Sequence, residues 1–367
     1  MILNNIVAYF IFLFPTLVLA QEQFTLEGKV TGLTSSKIYL TYTDDYGKYS
    51  LDSAALTSEG IFSFSSKVPH PVKATLYSKT DRWRSDFILE QGKTTLNGDK
   101  YGTVKINGGA NQEAFEILQI KEKKDALYFK DLNQKFAIAQ KQKDTAETLL
   151  IQQQWNSKLA ENISANKDFV RNHGELYIVL EPLNALLTKN AVAYKEGLSL
   201  FNNLSPQIKS SKMGEQITDL LAKKKLTAIG EIFTDFEQPD RSGRKVKLSS
   251  VLGEKYTLVH FWMAGSPSGR KENIAILPIY EKYRSKGFSV VAVSFDEDRD
   301  EWLKAINIDK ASWVQLSDLK GWNRNFVSNL YDINTLPQNF LLDSKGYIVA
   351  KNLFGDELSI CIHDLMK

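Results

Sequence analysis

The stretch FWMAGSPSGRKE, residues 261–272, limits what this chain can fold into more than any other. An apolar run (Tyr256, Leu258, Val259, Phe261, Trp262) ends there, and a helical pattern opens, marked by Ile274, Leu277, Ile279, Tyr280 and Tyr283. A buried strand that feeds a helix of this length is the start of an α/β layer. Gly287 is placed as the helix C-cap, and residues 288–295 form a second apolar strand ending at Asp296. Between the first strand and its helix lies Ser266-Pro267-Ser268-Gly269, where Ser266 is suited to an N-cap or turn. The only cysteine of the 367 residues is Cys361. The folded chain therefore holds no internal disulfide. In an apolar C-terminal helix Cys361 reads as a small buried hydrophobe.

The rest of the chain divides by texture. From residue 24 to about 109, short alternating segments such as Phe24-Thr25-Leu26 and Ile38-Tyr39-Leu40 are punctuated by Gly, Pro and Asp. This predicts a small antiparallel β-sandwich or barrel, with Tyr77 and Trp83 as core or cross-strand aromatics rather than a ligand patch. From 111 to about 226 Gly and Pro nearly vanish, and Gln, Lys, Glu, Ala and Leu dominate. Four or five helices are expected, the most polar of them a solvated hairpin arm with mixed charges. From 229 onward strand and helix alternate and close with a hairpin at Asp343-Ser344-Lys345-Gly346 and a last helix. The expected organisation is residues 21–110 all-β, 111–226 helical linker, and 227–367 α/β.

Residues 1–20 stand apart. A nearly unbroken apolar run ends in Val18-Leu19-Ala20 before Gln21-Glu22-Gln23, the pattern of a secretory signal peptide cleaved near Ala20. That places the chain in the periplasm or cell envelope. Membrane association is then expected only if this segment stays uncleaved, and the run is short for a span. Forty-six basic against 43 acidic residues give no electrostatic reason for nucleic-acid binding.

Residues 229–367 resemble the thioredoxin-fold domain of exported TlpA/ResA-like thiol–disulfide oxidoreductases, grouped with the AhpC/TSA redoxins. The resemblance rests on Phe261-Trp262, the following loop with Arg270-Lys271-Glu272, the strand Val290-Val291-Ala292-Val293-Ser294-Phe295-Asp296, and Leu336-Pro337-Gln338-Asn339-Phe340-Leu341-Leu342-Asp343. Residues 24–110 resemble the small all-β domain of unknown role often found before such domains in exported Bacteroidetes proteins, and the middle helices that family's linker. The resemblance implies a thioredoxin fold with a cis peptide before Pro337. It also implies that Ser266 and Gly269 occupy the places of the attacking and resolving cysteines, and His260 that of a buried acid.

Without those thiols, disulfide exchange at this loop has no nucleophile and no resolving group. Peroxide chemistry fails for the same reason. A hydrolytic Ser266–His260 pair is the remaining enzymatic thought, but the loop is not Gly-x-Ser-x-Gly and no orienting acid is evident. No cofactor is expected, since no phosphate-binding glycine loop occurs. No metal is expected either: His70, His173, His260 and His363 are scattered, without ligand spacing. The resulting expectation is non-catalytic binding or scaffolding of an envelope protein or peptide. Its groove would be formed by Trp262, Met263, Pro267, Leu336 and Pro337 beside the degenerate loop Ser266, Pro267, Ser268 and Gly269. The alternative is a thiol–disulfide oxidoreductase or redoxin by descent, with activity lost or dependent on a partner.

Overall fold

The computed structural model describes residues 23–44, 46–102 and 104–367. The leader assigned to residues 1–20 lies outside the described residues. The chain forms two compact units. One comprises the described residues through Ala191 together with Leu200–Glu215, the other Val192–Ser199 together with Gln216–Lys367.

The first unit begins with eight strands: β1 (Gln23–Thr31), β2 (Lys37–Thr43), β3 (Tyr49–Ala55), β4 (Ile61–Lys67), β5 (Val72–Ser78), β6 (Trp83–Leu89), β7 (Gly92–Asp99) and β8 (Lys105–Asn107). They form two four-stranded sheets, ordered β4-β1-β7-β8 and β3-β2-β5-β6. Alternate residues of both sheets meet in one core, including Phe24, Leu26, Phe64 and Leu96 from the first and Ile38, Leu40, Leu76 and Phe87 from the second. This is the buried face that the period-two pattern requires. One pairing departs from the antiparallel expectation: β1 and β7 run parallel, Phe24 opposite Gly92. The chain visits the second sheet between them, so no hairpin fixes their direction.

Helix α1 (Ala110–Gln142) and α2 (Thr145–Asn172) form a long hairpin. Lys143 turns the chain in a left-handed conformation, and the Asp144 carboxylate caps α2 by accepting from Glu147 N. The base of α1 is fixed to the sandwich by Gln112, whose Oε1 accepts from Ile88 N at 2.7 Å. Shorter helices follow: α3 (Leu180–Thr188), α4 (Tyr194–Asn202), α5 (Pro206–Lys209) and α6 (Lys212–Lys225). Ser205 caps α5 with Pro206 in its first turn, as Ser-Pro foretells.

In the second unit β9 (Glu237–Pro239) and β10 (Lys245–Lys247) make a small ribbon. Then come β11 (Tyr256–Trp262), α7 (Pro267–Tyr283), β12 (Phe288–Ser294), α8 (Arg299–Asp309), β13 (Val314–Leu316), α9 (Phe326–Leu330), β14 (Gln338–Asp343), β15 (Ile348–Lys351) and α10 (Gly355–Leu365). The sheet order is β13-β12-β11-β14-β15. Strands β11, β12 and β13 are parallel, while β14 runs antiparallel to β11. Central strands are buried on both faces. Leu258 and Trp262 pack with Ile276 of α7, Trp302 of α8 and Leu358 of α10, and Val259 and Phe261 pack with Val327 of α9 and Phe340. Gly287 ends the α7 segment at φ 97, a conformation glycine adopts at little cost.

Candidate functional site

The loop from Met263 to Gly269 is held at the C-terminal end of β11, where a parallel layer leaves its crevice. Its geometry is that of a helix start. Ser266 is extended (φ −95, ψ 109), and its Oγ accepts from Gly269 N at 3.2 Å. Pro267 occupies the first turn, where its missing N–H has no cost. Ser266 and Ser268 hydroxyls lie 3.1 Å apart, and Ser268 Oγ donates to Leu336 O at 3.4 Å. The Leu336–Pro337 peptide is cis. Thus Ser266, Pro267, Ser268, Gly269, Leu336 and Pro337 are brought together.

Gly269 is buried, yet its environment accepts a side chain. A Cβ built there would lie 3.4 Å from Ser266 Oγ and from Trp262 Cβ, and 3.5 Å from Ser266 Cβ. The last spacing falls in the range that bridged cysteines occupy, about 3.5–4.5 Å. The backbone at 266 and 269 is thus spaced as a bridged pair of cysteines would need.

Trp262 does not wall a groove. It is fully buried in the layer beneath α7, because Leu258, His260 and Trp262 alternate onto the sheet face that α7, α8 and α10 cover. Met263 is half-buried, as are Leu336 and Pro337, and Pro267 and Ser268 are exposed. These five remain as the accessible surface beside the loop.

His260 lies on that same covered face, opposite Asn339 in the sheet. It is fully buried, and neither ring nitrogen has a hydrogen-bond partner, nor has Asn273 Oδ1. Burial pushes the imidazole down to about 3. His260 is therefore neutral at ordinary pH. Its ring nitrogens make no hydrogen bond to Ser266, whose hydroxyl is engaged with Gly269 N and Ser268, so the geometry contains no serine–histidine pair.

Two polar anchors escaped the sequence reading. The Asp296 carboxylate accepts from Ala264 N at 2.9 Å and from Ser294 Oγ at 2.6 Å, fastening the loop to the end of β12. Burial raises its pKa, while the Ser294 and Ala264 bonds oppose that. An acid just past a buried strand beside the loop was the available signal. The second anchor is the pair of Arg270 with the buried Asp309, at 2.5 and 2.6 Å, to which Asn273 Nδ2 adds a bond at 3.1 Å. It joins the start of α7 to the end of α8, residues 39 apart, and no local pattern announces it.

Cys361 lies on α10, half-buried and free. Burial, and then the charge of Asp364, push its thiol pKa up, the reverse of what a reactive thiol needs. Among the described residues no group of three or more His, Cys, Asp or Glu is arranged to hold a metal, and no helix is long and apolar enough to cross a membrane.

The family comparison agrees with this architecture. Residues 229–351 match the AhpC/TSA family. That part of the chain is distantly related to this family. Residues 24–115 match a domain of unknown function (DUF4369). The thiol-disulfide oxidoreductase ResA of Bacillus subtilis is 27% identical over 147 residues, 40% of this chain and 79% of that protein. Among solved structures, the thioredoxin domain of a thiol-disulfide oxidoreductase from Bacteroides vulgatus is 35% identical, covering 38% of this chain and 99% of that one, with a TM-score of 0.36. A thiol:disulfide interchange protein from Bacteroides sp. is 36% identical over 37% of this chain and 89% of its own, with a TM-score of 0.35. The chain has a single, unpaired cysteine, Cys361, on its final helix beyond the matched residues.

Proposed function

We propose that this protein is a redox-inactive thioredoxin-like binding protein of the cell envelope, holding an extended polypeptide without covalent exchange. One observation carries the reading. The loop keeps the backbone of a two-cysteine site, down to the 3.5 Å approach of positions 266 and 269, while offering only a hydroxyl and a hydrogen there. A serine hydroxyl cannot enter a disulfide, and glycine has nothing to release one. What remains is a half-apolar surface of Met263, Pro267, Leu336 and Pro337 next to backbone at a sheet end, which suits strand-like pairing with a peptide. The leader-like residues 1–20 support export.

The test uses residues 21–367 and a permanently unfolded probe, fluorescently labelled S-carboxymethylated lactalbumin. Anisotropy should report saturable binding that Met263→Glu and Leu336→Glu each weaken by about tenfold, on the order of 1.4 kcal/mol. Binding of the probe that is indifferent to both substitutions, or no binding at all, would count decisively against this surface.

A further inference from the structure

The α1–α2 hairpin is built inside out along its middle. Where the helices face each other, Asp125 pairs with Lys121 at 2.8 Å and Lys158 at 3.1 Å, and Lys121 also bonds Asn162. Toward the turn the packing is apolar, around Leu132, Ala139 and Ile151. Meanwhile Ile117, Ile120, Leu127 and Ile138 of α1 are each more than half exposed. At about 100° per residue, Ile120, Leu127 and Ile138 fall within roughly 20° of one another on the side away from α2, with Ile117 about 60° to one side. From Ile117 to Ile138 this line runs about 32 Å.

Lysines flank it. Lys124 lies on one edge and Lys123, Lys130 and Lys141 on the other, all exposed. None of these four makes an ion pair or side-chain hydrogen bond among the described residues. Asp131, which falls within the line, is neutralised by Lys135 at 2.7 Å. Glu113 and Glu116 share this side only at the base of the arm.

We propose that the outer face of α1 lies on an anionic lipid surface. The isoleucines and leucine would enter the acyl boundary, while the four lysines reach the headgroups on their long stems. Two features choose this occupant. A second copy docked on this face would set unpaired lysines against unpaired lysines. The apolar side chains are also separated by seven and eleven residues, too sparse to build the packed centre of a protein interface, whereas a bilayer accepts them singly.

The experiment is vesicle flotation of residues 21–367, which contain every described element. Vesicles of phosphatidylcholine with roughly 30 mol % phosphatidylglycerol are compared with phosphatidylcholine alone. Expected is binding about tenfold stronger to the anionic vesicles, weakening as salt rises. It should drop by about tenfold in Ile120→Ser/Leu127→Ser/Ile138→Ser, and equally in Lys123→Gln/Lys124→Gln/Lys130→Gln/Lys141→Gln. The lysine variant changes only exposed side chains, so it decides the matter should the serine variant misfold. Equal binding to both vesicle types, or unaltered binding by the lysine variant, overturns the proposal. So does a solution dimer that the serine variant dissociates, which would give the face to a second copy.

Discussion

Ser266 and His260 show what the polar residues at the β11–α7 junction do in this chain. Ser266 is a cap. Its Oγ serves Gly269 N, one of the donors that a helix start leaves unsatisfied. Ser266→Ala should therefore lower stability by about 1 kcal/mol in urea unfolding, and Ser266→Gly by only a few tenths. Equal losses for the two would show that the hydroxyl is not the holding group. His260 predicts a pH effect. Its folded pKa, about 3, lies below the ordinary value near 6.5, so between these limits the unfolded chain binds the proton that the folded chain refuses. Its contribution to stability is full above about 6.5 and declines as pH falls toward 3, by up to roughly 1.4 kcal/mol per unit. Replacing it with asparagine, which does not titrate, should flatten the stability profile between pH 6.5 and 4 relative to wild type. Unfolding measured at half-unit steps checks this, and parallel profiles for the two proteins would reject it.

At the scale of elements, the junction of β11 and α7 governs the site, and its existence was legible in sequence. Four buried strands, the helix start at the Ser-Pro pair and the glycine stop after α7 follow from apolar runs and turn chemistry, which are local. What pointed where was less visible. Trp262 was expected to wall the groove, yet its parity with Leu258 and His260 turns it beneath α7, and only knowing which sheet face α7 covers reveals that. Parallel pairing of β1 with β7 and the Arg270–Asp309 anchor join segments far apart in sequence, where no periodicity speaks. Trp262→Ala should thus act on the core, with a loss of about 3–5 kcal/mol, and denaturation rather than binding measures it. Asp309→Ala should be similarly severe, about 3–5 kcal/mol, because it strands Arg270 in a partly buried site. A loss below about 1 kcal/mol, the range of surface pairs, would mean that solvent reaches the guanidinium freely.

For the whole molecule, the decisive quantity is the number of thiols. With Cys361 alone, half-buried on α10 and raised in pKa, no intramolecular disulfide can form, and the melting temperature of residues 21–367 should be the same in oxidant and in reductant. Insulin reduction by the same protein should equal that of its Cys361→Ser variant. The sulfurs are missing from a frame that still fits them, since a Cβ at 269 would stand 3.5 Å from that of Ser266. Ser266→Cys/Gly269→Cys, made in a Cys361→Ser background so that only this pair can bridge, should close a disulfide, shown by the loss of two titratable thiols on oxidation. The thiol at 266 would sit at the start of α7, where the helix dipole and free backbone donors lower its pKa below the usual 8.5 or so. Its melting temperature should then become redox-dependent, and some insulin reduction should return. A bridge that forms without activity would locate a further loss at the buried neutral His260, which can neither give nor take a proton near neutral pH. A folded double variant that never bridges would instead overturn the spacing at 266 and 269 on which the proposed binding function rests.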